Sequence, residues 1–183
     1  MTESRMEAFV ARLKKLDSNG DRGALAHLRR GLGRAPGEAV EMLPLVAPFL
    51  PKESYDDWIY FTVAALFASH PCQSGLAMGR AYARLITATD SDSVERRFMQ
   101  LLDSDAEDLP GKLRHAVSLL KAHDIPLDYS QLLYDLLHWT HENRFIQRIW
   151  AMDFWGGVDK YSGADAQTKS DDNNENNSEL ENE

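Results

Sequence analysis

The 183-residue chain has a single cysteine, Cys72, which excludes an internal disulfide and any four-cysteine zinc site. No stretch approaches the roughly 18 consecutive apolar residues that a membrane span requires. The opening "MTESRMEAFVARL" has two acids near its start and no continuous apolar core, unlike a secretory signal, so a cytoplasmic location is expected. Positive charge is scarce too. Twenty Lys and Arg face 29 Asp and Glu, a net charge of −9, which argues against a uniformly basic nucleic-acid binder.

That deficit is unevenly spread. From Asp159 onward eight acids stand against Lys160 and Lys169, so residues 1–158 hold 18 basic and 21 acidic side chains and are nearly balanced. The tail "SGADAQTKSDDNNENNSELENE" is rich in Asn, Asp, Glu and Ser and has one leucine. Such a segment buries too little apolar surface to offset the entropy of ordering, so residues 159–183 are expected to be a disordered acidic tail.

The remaining 43% hydrophobic content is patterned for helices, and nothing alternates long enough to demand a sheet. Phe9, Leu13 and Leu16 recur at helical spacing over Ser4 to Leu16. "GDRGALAHLRR" begins a second helix with Gly20 and Asp21 at its start. "LPLVAPFLP" is broken by Pro44, Pro48 and Pro51 and suits a short turn and a buried connector. Tyr55 to Ser69 reads as a core helix carrying Trp58, Ile59, Thr62, Leu66 and Phe67. The small residues of "GLAMGRAYARLI", including Gly75 and Gly79, predict a helix closely approached by a neighbour. Further helices are expected over Ser93 to Leu102, from Pro110 through Leu120, and after Asp128, whose carboxylate can cap the first turn. There Leu127 and Leu132 have hydrophobic-staple spacing. The last helix, Asn143 to Trp155, buries Phe145, Ile149 and Met152 or their immediate neighbours. The expected fold is all-α, with about seven to nine helices in two small packed bundles. The expected division is an N-terminal bundle over residues 1–88, a C-terminal bundle over 89–158, and the tail.

Enzymatic signatures are thin. His138 and His141 lie near Asp135 and Glu142, but "HWTHEN" is not the His-Glu-x-x-His order that places two ligands and a base on one helical face. "DSDAED" starts like a calcium loop, yet Asp108 stands where glycine is needed and Arg114 where a bidentate glutamate is needed. Cys72 has no patterned activating partner and reads as a semi-buried structural thiol. "GLAMGRA" lacks the lysine and the glycine spacing of a phosphate loop. Neither catalysis nor a cofactor is expected.

The arginines carry more information. At about 100° per residue, Arg22 and Arg29 point within about 20° of each other, apart from the arc of Leu25, Leu28 and Leu32, with Arg30 on the other flank. Arg80 and Arg84 repeat the pattern one turn apart, Arg96 and Arg97 precede Phe98, and Arg144 and Arg148 again lie one turn apart. Cations spaced by one turn repel unless an anion compensates them. Phosphates along a nucleic-acid backbone would do so, since the guanidinium fork fits their oxygens. Local acids would do so equally, by pairing Arg84 with Asp90, Arg96 with Asp92 or Asp103, Arg148 with Asp153 or Glu142, and Arg22 with Asp17 or Asp21. The residues alone leave both accounts open.

Three stretches carry a resemblance. They are "LDSNGDRGALAHLRRGLG" (Leu16 to Gly33), "GRAYARL" (Gly79 to Leu85), and the long segment from "VERRFMQLL" to "RIWAMDFW" (Val94 to Trp155). Together they resemble the CasB small-subunit family of the type I-E CRISPR interference complex, Cascade. The resemblance covers nearly all of the chain up to Trp155 and leaves out the acidic tail. It implies an all-helical, non-catalytic antiviral-defence protein, present as two identical copies within a crRNA-guided complex. Its implied partners are the backbone and large subunits, a second copy of itself, and the strands of the R-loop: the heteroduplex of crRNA and target DNA, and the displaced strand. Cutting would fall to a separate nuclease-helicase, and sequence choice to the guide. The family's "LRR" matches Leu28, Arg29 and Arg30, its "GRA" matches Gly79, Arg80 and Ala81, and its "RRF" matches Arg96, Arg97 and Phe98. After Trp139 the basic character is thinner, with Thr140, His141, Glu142 and Asn143 before Arg144. The candidate nucleic-acid-binding residues are therefore Arg29, Arg30, Arg80, Arg97 and Arg114 first, then Arg22, Arg84, Arg96, Arg144 and Arg148, with Lys112 added. A purely structural scaffold, with the same arginines facing protein partners, is the competing expectation.

Overall fold

The computed structural model describes residues 2–52 and 55–157; the acidic tail lies outside the described residues. Within them the chain is all-α. Nine α-helices follow in order: α1 (Thr2–Ser18), α2 (Arg22–Arg29), α3 (Leu43–Val46), α4 (Asp57–Ser69), α5 (Met78–Thr89), α6 (Asp92–Leu102), α7 (Leu109–Ala122), α8 (Tyr129–Leu137) and α9 (Phe145–Trp155).

Local chemistry sets the helix ends. Asp21 caps α2 by accepting a hydrogen bond from the Ala24 amide at 3.0 Å, and Asp128 caps α8 by accepting from the Ser130 and Gln131 amides at 2.9 and 3.2 Å. Leu127 and Leu132 are both buried, as the staple spacing requires. In the proline-interrupted stretch the four-residue α3 is flanked by 3₁₀ turns at Val40–Met42 and Ala47–Phe49, since each proline removes an amide that a longer helix would need.

Helix α4 is apolar almost all round and, apart from half-buried Thr62, is buried from Ile59 to Ala68, so neighbours cover it on several sides. It contacts α2, α8 and α7, while α8 also packs on α1. Helix α5 packs most extensively on α9 and also touches α6 and α7. Phe98 of α6 joins the second group by meeting Phe154 at 4.4 Å and Tyr82 at 4.9 Å between ring centroids. One apolar core runs through both groups.

Two details differ from the sequence reading. The segment at Gly75 to Ala77 precedes α5: Leu76 forms an isolated parallel bridge with Leu127, donating to Pro126 O and accepting from the Asp128 amide at 2.9 Å. A Cβ at Gly75 would lie 2.3 Å from the Leu127 carbonyl carbon, so the expected close approach is real but backbone-to-backbone. On α9 the neighbours of the expected stripe are buried. Ile146, Trp150 and Phe154 face the core, whereas Ile149 and Met152 are 48% and 72% exposed. The larger rings fill the space against α5 and α6, and the Trp150 indole donates to buried Asp135 at 2.6 Å.

Candidate nucleic-acid interface

All ten candidate arginines are exposed, and Lys112 is half-buried. They fall into two groups according to what holds them.

The first group is tied to the protein. Arg30 pairs with Glu41 across the loop after α2; backbone hydrogen bonding and then the Arg30 side chain hold the Glu41 carboxyl below its ordinary range. Arg80 donates through Nε to Asp153 of α9 at 3.2 Å, bridging α5 to α9. Arg29 turns its Nε back to the Leu25 carbonyl at 3.2 Å. Arg144, at φ +47°, donates to the Leu102 carbonyl at 2.8 Å, and Lys112 donates to the Gln100 carbonyl at 3.0 Å. The last two tie α9 and α7 to the end of α6.

The second group comprises Arg22, Arg84, Arg96, Arg97, Arg114 and Arg148, none of which forms an ion pair among the described residues. Several of the local acids have other work: Asp17 accepts from Gln73, Asp21 caps α2, and Asp153 takes Arg80 rather than Arg148. Arg97 lies close enough to Tyr82 for its charge to act against the burial that pushes the Tyr82 phenol far above its ordinary range.

Geometry brings subsets together. Arg80 and Arg84 share a surface groove between α5 and α9 with Asp153 and Gly157. Arg114 crosses from α7 to the loop after α2, where a Cβ at Gly33 would lie 2.7 Å from its Nη1. That contact places Arg114 at a cleft of about 570 Å³ between the loop, α4 and α7, shared with Arg34. Arg34 is absent from the sequence-derived candidates; its signal is a further arginine right after Gly33 in "LRRGLGR".

The other chemistry is structural. His138 sits against the Tyr134 ring at 4.3 Å with Nδ1 2.8 Å from the Tyr134 carbonyl, and His141 packs edge-on to Phe145. Among the described residues no three His, Cys, Asp or Glu side chains gather into a metal-binding group. Burial raises the Cys72 thiol, whose Sγ lies 3.3 Å from the His70 carbonyl, so thiolate is scarce at neutral pH. Asp135 is buried beneath Trp150 and Gln131, and burial pushes its carboxyl up to about 6 against the pull of both hydrogen bonds. No helix among the described residues is long and apolar enough to cross a membrane.

The sequence and fold of this chain have counterparts in known proteins. The family described as CRISPR-associated protein Cse2 matches residues 24–155. A CRISPR-associated protein Cse2 from Thermus thermophilus is 35% identical over 159 residues, covering 82% of this chain and 89% of that protein. The crystal structure of M. ruber CasB superposes with a TM-score of 0.74 at 37% identity, over 85% of this chain and 95% of that one. A chain of a CRISPR RNA-guided surveillance complex superposes with a TM-score of 0.77 at 26% identity, over 87% and 96%. Fold and sequence thus agree over more than four-fifths of the chain, and the chain belongs to the CRISPR-associated Cse2 family.

Proposed function

We propose that the protein is the non-catalytic small subunit of a crRNA-guided type I-E CRISPR interference complex, and that its exposed arginines hold nucleic-acid backbone and so stabilise the R-loop. The observation that carries the role of the arginines is the set of six exposed guanidiniums without an ion-pair partner among the described residues, displayed on a Cse2-family scaffold. Unneutralised arginines on a chain of net charge −9 are available to phosphate, whose oxygens they grip in pairs. Such contacts position a strand without reading its bases. The protein acts in the cytoplasm beside the backbone and large subunits and a second copy of itself. In this reading residues 1–88 and 89–158 are two bundles that interlock rather than stand apart, since α8 lies on α1 and α4 and α5 packs most extensively on α9.

A scaffold role draws support from the tied group. Arg30, Arg80, Arg144 and Lys112 already bridge separate parts of the chain, which is what residues that only shape a protein surface would do. The two readings part in a salt titration of target binding by assembled complexes carrying the parent protein or Arg96→Glu with Arg97→Glu. Lost phosphate contacts reduce the slope of log affinity against log salt by about 0.7–0.9 for each contact. A double variant with normal stoichiometry and a slope lower by about 1–2 supports backbone binding. An unchanged slope assigns these two positions to scaffolding.

A further inference from the structure

The cleft between the loop after α2, α4 and α7 sets two arginines and an indole beside an apolar surface. Its floor is apolar, formed by Leu32, Leu66 and Pro110, with the half-buried Trp58 side chain in its wall. Trp139, Trp150 and Trp155 all donate their indole N–H within the protein, to Ser104 O, Asp135 and Glu95. Trp58 alone of the four tryptophans donates to no acceptor among the described residues. Arg34 and Arg114 also line the cleft, and neither forms an ion pair among the described residues; Glu107 is the single carboxylate there.

A ligand that satisfies this cleft is flat and apolar on its faces, carries acceptors on its edge, and is anionic beside the ring. Those are the properties of one nucleotide. Unstacked bases are held by aromatic side chains and arginine planes, with hydrogen bonds to their edges. A cleft of about 570 Å³ falls within the range of sites that enclose small aromatic ligands. An apolar side chain from a protein partner would fill the floor but leave both guanidiniums without an anion, so a nucleotide matches more of the site. We propose that this cleft takes a single unpaired nucleobase against Trp58, with the flanking phosphates on Arg34 and Arg114. The assignment rests on the nucleic-acid role proposed above and adds to it a base pocket distinct from the backbone-following arginines on α6.

The test uses the assembled complex with unmutated protein and target DNA carrying 5-iodouracil at successive positions of each strand, irradiated and mapped by mass spectrometry. The expected result is a cross-link to the peptide containing Trp58 from a narrow window of positions on one strand. An abasic nucleotide in that window should weaken retention roughly 5- to 140-fold, the range for loss of one base–aromatic stack. Trp58→Leu should lose a similar factor and Trp58→Phe much less, while Trp58→Leu on the abasic target should add nothing further. Cross-links that avoid Trp58, together with a salt slope that still responds to Arg96→Glu and Arg97→Glu, overturn the base pocket and leave the backbone role standing. No cross-link and no salt response overturn both. Trp58→Leu that removes a protein subunit without any Trp58 cross-link assigns the cleft to a protein side chain and overturns the proposal.

Discussion

Replacing Gly79 by alanine tests the packing that holds Arg80 in place. Gly79 lies in the first turn of α5, and a Cβ there would sit 2.4 Å from the Trp150 carbonyl oxygen and 2.7 Å from the Asp153 Cβ. Comfortable contact for such atoms begins at about 3.5 Å, so α5 and α9 would have to separate by about 1 Å. Neither obstacle is the far end of a flexible side chain. The interface at risk contains Met78, Tyr82 and Leu85 on α5 and Ile146, Trp150 and Phe154 on α9, all buried. A radial gap of 0.5–1 Å forfeits about a quarter to a half of each dispersion contact, and overpacking of this kind costs roughly 1–3 kcal/mol and sometimes more. Alanine's better helix propensity returns about 1 kcal/mol, so overpacking at the upper end of that range, as contacts this short imply, leaves Gly79→Ala less stable by about 2 kcal/mol. In thermal or denaturant unfolding that corresponds to a midpoint several degrees lower, at about 2–4 °C per kcal/mol for a chain of this size. Gly111 in α7 supplies the control, because a Cβ there meets nothing within 4 Å. Gly111→Ala should therefore gain about 0.4–1 kcal/mol. The two substitutions are chemically identical, so opposite signs isolate the steric term. Equal stabilisation by both would refute the close approach of α5 to α9.

Two further outcomes follow from single contacts. Asp128→Ala removes the side-chain acceptor for the Ser130 and Gln131 amides and should cost about 1 kcal/mol in chemical denaturation; an unchanged midpoint would refute the capping role. Asp135 has its pKa raised by burial to about 6, so the folded protein holds this proton more tightly than the unfolded chain. The stabilisation tied to the neutral carboxyl is complete below about pH 4 and is lost as pH rises through about 6. Asp135→Asn does not titrate, so its stability relative to the parent should drift in the variant's favour between pH 4 and 7, by on the order of 2–3 kcal/mol. No drift, or a drift the other way, would refute the raised pKa.

What the sequence made legible was local. A cap needs only a carboxylate and the amides two or three residues on, so Asp21 and Asp128 announce their helices without any tertiary knowledge. The prolines of residues 44–51 likewise state where a long helix fails. The register of α9 was not legible, because Phe145, Ile149 and Met152 have helical spacing as good as that of Ile146, Trp150 and Phe154. Periodicity defines a stripe only to within one residue when large apolar side chains stand side by side. The choice was made by partners elsewhere in the chain, namely Asp135 for the Trp150 indole and Phe98 for the Phe154 ring. Gly75 is similar, since its small size answers to Leu127, more than fifty residues away.

The arginines divide along the same line. Their exposure follows from the helical wheel, because a helix that buries its leucines must turn its cations outward. Which of them are neutralised does not follow, since Glu41 is 11 residues from Arg30 and Asp153 is 73 from Arg80. Asp17 and Asp21, which spacing nominated for Arg22, are engaged by Gln73 and a helix cap, and Asp153, one of the two acids nominated for Arg148, is engaged by Arg80. Long-range pairing thus uses up some cations as struts between helices and leaves others bare, and the bare ones carry the electrostatic consequence. An exposed arginine gains little from one phosphate in water. Several of them on one rigid body share the cost of alignment, because once the first contact forms the next becomes intramolecular. The struts keep that spacing fixed. Breaking Arg80 from Asp153 would therefore loosen the geometry of Arg84 beside it, even where Arg80 itself never touches a strand.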